Sequence, residues 1–256
     1  MKTISIGKQI DSFNEIAFRD VWLSSIAEYK GVVASGWYTP PPHGMAVLTG
    51  LPIHPSRTSF ESLRNEHNWP SNFDINWNEN ILYCYCSPTN FEFGIPGDLA
   101  ITLYFGNDTR IINHFKTTHK AVKEVINVLD NVNNSTELFE ASQEIFFLNR
   151  LKNCVVSKTD LLPLDLGHTC PKVLQQVQNS LSEQDCKTIS RARQFVNPTS
   201  TWDFIESLQF TIEPQLVSLD DPTLPQIAYH YLVVCKKESF VVCNDIDTLL
   251  GEYNLI

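Results

Sequence analysis

At 256 residues, 43% apolar and 11% aromatic, the chain has the size and composition of an ordinary globular protein with a sizeable core. Its net charge of −10, with no cluster of Lys and Arg interleaved with aromatics, argues against the basic footprint of a nucleic-acid binder. No window approaches the roughly 18 apolar residues of a membrane span, and Met1-Lys2-Thr3-Ile4-Ser5 does not open a signal peptide, so no membrane partner and a cytoplasmic location are expected.

Taken in chain order, residues 12–29 are predicted as an amphipathic helix, with Ile16, Val21 and Ile26 in the apolar stripe, Asp11 or Ser12 as N-cap and Gly31 as the stop. Residues 32–34 and 45–48 are predicted strands, separated by the stiff run Pro40-Pro41-Pro42. Residues 51–80 are polar and read as a loop insertion. Trp37, Tyr38, Trp69 and Trp77 are placed in loops at the mouth of a pocket or in local core. Strands are predicted over 81–86 and 98–105, and helices over 117–132 and 135–151, the second capped at Ser135. His119 and Lys120 read as solvated first-turn residues, and Asp108-Thr109-Arg110 as a hairpin turn after Gly106-Asn107. Four more strands are expected near 190–196, 208–213, 226–235 and 239–243. With no repeat and no linker, one mixed α+β domain over 1–256 is the economical organisation. The seven cysteines form no CxxC or zinc-ribbon spacing, and reduced, mostly buried thiols are expected.

Chemistry concentrates in Phe210-Thr211-Ile212-Glu213-Pro214, where a lone carboxylate stands in an apolar strand. Burying Glu213 without a cation, a donor or a proton is costly, so it asks for a partner. An imidazole some forty residues earlier, in Gly167-His168-Thr169, is one candidate, and His with Glu is a common metal-ligand combination. The competing reading is a Glu at a strand end that faces water or an Arg.

Four landmarks occur in order: Val33-Ala34-Ser35-Gly36 followed by Pro42-His43-Gly44, then Gly97-Asp98-Leu99-Ala100-Ile101, then Gly167-His168, then the Phe210–Pro214 run. Together they resemble the pita-bread metallopeptidase superfamily of methionine aminopeptidase, aminopeptidase P, prolidase and creatinase, over roughly residues 15–250. The resemblance implies a pita-bread α+β fold with a curved antiparallel sheet flanked by helices. It also implies a site of two metal ions held by two Asp, one His and two Glu. His168 matches the ligand His, and Glu213 the first ligand Glu. Counting from Asp98, Leu103 stands where the first Asp is expected and His114 where the second is, while Ala228 takes the place of the last Glu. At most two of five ligands are retained, which argues against the ordinary dinuclear mechanism. Asp108 becomes a ligand only if the alignment slips.

Three readings of these residues stay open. In the first, His114, His168, Glu213 and His230 form a remodelled mononuclear site for a divalent transition metal ion such as Fe, Mn or Zn. In the second, creatinase implies metal-free catalysis, with His43 as acid/base and His168 and Glu213 orienting a small amino-acid-like or peptide-like substrate. In the third, the chain is a binding module that has lost its chemistry, as in a histone-chaperone subunit of this fold. A homodimer is the assembly that the resemblance allows.

Overall fold

The computed structural model describes residues 32–34, 45–49, 81–86, 88–90, 95–96, 99–154, 165–170, 184, 188, 191–237, 239–243 and 245–252. The expected helix over 12–29 and the insertion over 51–80 lie outside these residues, as do His43 and the four loop aromatics.

Every pairing between named strands is antiparallel. In the N-terminal half, β1 (Val32–Ala34), β4 (Pro88–Asn90) and β5 (Ile95–Pro96) form one sheet, in the order β1-β4-β5. Another is built from β2 (Met45–Thr49), β3 (Ile81–Cys86) and β6 (Leu99–Tyr104), in the order β2-β3-β6. The predicted strands over 32–34, 45–48, 81–86 and 98–105 are therefore found within a residue of their expected ends.

Helix α1 spans Thr109–Asn127 and begins eight residues before the predicted start. The reason is chemical. Asp108, read from sequence as part of a turn, is the N-cap: its carboxylate accepts from the Arg110 amide at 2.8 Å and pairs with the Arg110 guanidinium at 2.8 Å. Ile111, His114, Phe115, Thr118, Val122 and Val125 form the buried face at helical spacing. After a 3-10 turn over Leu129–Asn131, helix α2 covers Ser135–Leu148. Its cap is Asn134 rather than Ser135. Asn134 Oδ1 accepts from the Glu137 amide at 3.0 Å, and Glu137 reaches back to the Asn133 amide at 2.8 Å, which is a reciprocal cap.

Two strands missed from sequence, β7 (Leu151–Asn153) and β9 (Gln215–Ser218), pair with each other, and β10 (Ile227–Ala228) completes their sheet. The last sheet runs β12 (Phe240–Val242), β11 (Tyr231–Cys235) and β8 (Gln209–Ile212). A C-terminal helix, α3 (Asp245–Glu252), was not predicted. The stretch near 190–196 contributes one isolated bridge, Phe195 to His168, instead of a named strand.

One apolar core joins these elements, from Ile81, Ile101 and Leu103 through Phe115 and Val122 to Phe210, Ile212, Tyr229 and Tyr231, all fully buried. Among the described residues no helix is long and apolar enough to cross a membrane. Cys154 and Cys235 are free thiols, and burial pushes the pKa of Cys235 up to about 11.

Candidate functional site

The site is assembled where three extended segments run side by side. Segment 166–170 lies between residues 194–196 and β8: Leu166 donates its amide to the Val196 carbonyl at 2.9 Å, and Glu213 donates to the Leu166 carbonyl at 2.7 Å. Gly167 is the residue that permits this closeness. A Cβ there would collide with the backbone carbonyl of Thr211, so the position requires glycine for a reason of space. On the other side, β8 pairs with β11, with Ile212 opposite Tyr231. Continuing that register by one residue sets Glu213 opposite His230, and the bridge of Thr169 to Phe210 sets His168 opposite Thr211. Residues directly opposite share a face, as do alternate residues of one strand. His168, Thr211, Glu213 and His230 therefore point to one side of the sheet.

Their side chains meet there. His168 Nε2 lies 3.5 Å from Glu213 Oε1, and His230 Nδ1 lies 3.4 Å from Glu213 Oε2. All three residues are buried, at 1%, 8% and 6% exposure for His168, Glu213 and His230, a depth at which a charge must be balanced. The other nitrogen of His168, Nδ1, is 3.0 Å from the Thr169 carbonyl oxygen. A carbonyl oxygen can only accept, so Nδ1 carries the hydrogen, and a neutral His168 turns the lone pair of Nε2 toward Glu213. Lone pair and carboxylate repel each other. The pair is stable with positive charge between them, supplied by a proton or a cation.

His114 is placed differently. It sits on α1, not on a strand, and its Nε2 donates to the Pro225 carbonyl at 3.0 Å. Burial lowers its pKa from the ordinary value near 6.5, more than that hydrogen bond and the charge of Asp221 raise it. The structure thus brings together three of the four residues expected to ligate a metal, and gives the ring of His114 a backbone partner. His and Glu fit a divalent transition metal in donor type. They do not fit it in grouping. Each imidazole faces its own oxygen of Glu213, and no three His, Cys, Asp or Glu among the described residues are arranged to hold a metal ion. No chemical step is therefore assigned to a metal.

The register also fixes which face of β6 meets the site. Ile101 bridges Tyr229, so alternation along β6 puts Leu103 on the face of Ile101 and Tyr229, and Thr102 on the face of His230. On β6 the residue that faces the site is therefore Thr102, not Leu103. Its Oγ1 accepts from the Ala228 amide at 2.9 Å, while His230 donates its amide to the Ala100 carbonyl at 2.9 Å. These two bonds tie the segment carrying His230 to β6.

Sequence reading missed two groups. Asp165 is fully buried three positions before His168, and only its spacing from that histidine could have flagged it. Behind the sheet, Asp247 on α3 accepts from Tyr231 at 2.6 Å, from His119 at 2.8 Å and from Lys123 at 2.9 Å. His119, expected to be solvated, is mostly buried in this cluster, whereas Lys120 is exposed as expected.

No family model matches the chain, and no curated protein does. Solved structures do. The prolidase of Pyrococcus horikoshii matches at a TM-score of 0.59 and 13% identity, over 93% of this chain and 55% of its own. The X-Pro aminopeptidase of Thermotoga maritima matches at 0.57 and 12%, over 92% and 54%. The methionine aminopeptidase of Rickettsia prowazekii matches at 0.55 and 13%, over 90% and 85%. The chain thus spans about half the length of the first two. At this identity the likeness is one of fold, and it agrees with the four sequence landmarks: the chain has the α+β, antiparallel-sheet fold of the pita-bread peptidases.

Proposed function

We propose that the chain is an atypical enzyme of the aminopeptidase and creatinase group, acting on a small amino-acid-like or peptide-like substrate at His168, Glu213 and His230. The observation that carries this reading is a buried carboxylate between two imidazoles, at 3.5 and 3.4 Å. Such a set stores a proton and releases it to a reacting group, which is the work of a general acid and base. In this reading Glu213 takes a proton from an attacking water or holds the ammonium group of the substrate. One of the two imidazoles returns a proton to the leaving amine. His43 is the further candidate for substrate contact or acid–base work, as the resemblance implies.

The test is a panel of dipeptides, Xaa-Pro dipeptides and amino-acid amides, with the released amine followed by mass spectrometry and the metal content of the protein measured in parallel. Turnover by the native chain and its loss in Glu213→Gln are expected. Equal turnover in the two proteins would sink the assignment. A second reading, a non-catalytic binding module, is favoured by one observation: Thr102 and Ala228, which face the site, bring no carboxylate to it. Saturable binding of a panel member without any product would select it.

A further inference from the structure

We propose that Tyr231 and Asp247 are positioning residues for His230, acting through the strand from the face opposite the site. His230 lies between Tyr229 and Tyr231, and alternation turns its ring toward Glu213 while both tyrosines turn to the other side. Tyr231 is fully buried, and its hydroxyl donates to Asp247 at 2.6 Å, the length of a charge-assisted bond. Lys123, which holds the other oxygen of Asp247 at 2.9 Å, also stands over the Tyr231 ring at 5.4 Å. The residue next to His230 is therefore gripped at its tip and on its face. On the other side of His230, Tyr229 offers a contrast. Its ring meets His119 edge-on at 5.9 Å, but its fully buried hydroxyl has no hydrogen-bond partner among the described residues.

A strand transmits such a grip because it is stiff about its own axis. Rotation that lets Tyr231 drift from Asp247 must swing the His230 ring on the opposite side, and strain the bond from its amide to Ala100. The 3.4 Å separation from Glu213 is then set from two directions, by β6 alongside and by Asp247 behind. The functional weight of this inference rests on the proposed acid–base site. Its test does not, because it reads the ring in the protein without substrate.

The experiment compares Tyr231→Phe with Tyr229→Phe in protein carrying 15N-labelled histidine, at one pH. In Tyr231→Phe the His230 ring signals are expected to move, those of His114 to stay, and the His230 amide to exchange roughly fivefold faster. In Tyr229→Phe all three are expected to match the native chain. Unmoved His230 signals in Tyr231→Phe would overturn the proposal, and so would equal movement in both variants, which would mark a general packing effect. Should Tyr231→Phe not fold, Asp247→Asn is judged by the same comparison. Failure to find any substrate leaves this readout intact, so the two proposals fail separately.

Discussion

Two clusters of histidine and carboxylate lie on opposite faces of the same strands, and they are built to different tolerances. Behind the sheet, the carboxylate of Asp247 has three donors at 2.6 to 2.9 Å, one each from Tyr231, His119 and Lys123. Burial alone would raise its pKa, but those hydrogen bonds outweigh it and hold the carboxyl below its ordinary value. That cluster is complete in itself. On the other face, the rings of His168 and His230 stand 3.5 and 3.4 Å from Glu213, more than half an ångström beyond the usual charge-assisted bond of about 2.8 Å. The contacts of Asp247 are short and charge-assisted, whereas those of Glu213 with its two imidazoles, for which acid–base work is proposed, are longer. The same residue types are scaffold on one face and candidate machinery on the other.

The largest effect that would break this comparison is expected at Glu213. Glu213→Gln should lower kcat/KM at least about 100-fold on any substrate found, while the urea midpoint moves little. A large loss of stability with unchanged turnover would reverse the roles of the two faces. Asp247→Asn should do the opposite, lowering unfolding free energy by about 2 kcal/mol in urea denaturation, since three donors lose their charged acceptor. Next comes Thr102→Val, which removes the acceptor of a buried amide. A loss of about 1–2 kcal/mol is expected, and an unchanged midpoint would show that the Ala228 amide had found another partner.

The smallest effect concerns pH. A histidine whose folded pKa is lowered binds fewer protons folded than unfolded. The contribution of His114 is therefore fully present above its ordinary value near 6.5 and is lost as pH falls below it. Urea titrations at pH 7.5 and 5.5 should show a smaller loss of stability on acidification in His114→Gln than in the native chain. Equal slopes would assign the acid sensitivity to other groups.

How much of this was legible in the sequence depended on how local the signal was. Gly167-His168 and Ile212-Glu213-Pro214 were readable because a close backbone approach and a carboxylate at a strand end are written in neighbouring residues. Asp108 was misread because Gly, Asn and Asp serve a turn and a helix cap equally well. His114 was matched by counting from Asp98, and the structure places it on α1, which begins at Thr109, with its ring on the Pro225 carbonyl. Leu103, also reached by counting, lies on the face away from His230, because a face is fixed by cross-strand register and not by distance along the chain. The Asp247 cluster had no local trace at all, since its partners His119 and Lys123 lie 128 and 124 positions away.

The contact between Gly167 and Thr211 has one more consequence. Where a single added carbon overlaps a neighbouring carbonyl, selection has nothing to choose between, and a saturation library at that codon should return folded clones with one residue type alone. The adjoining imidazole owes its fixed address to an atom its neighbour lacks.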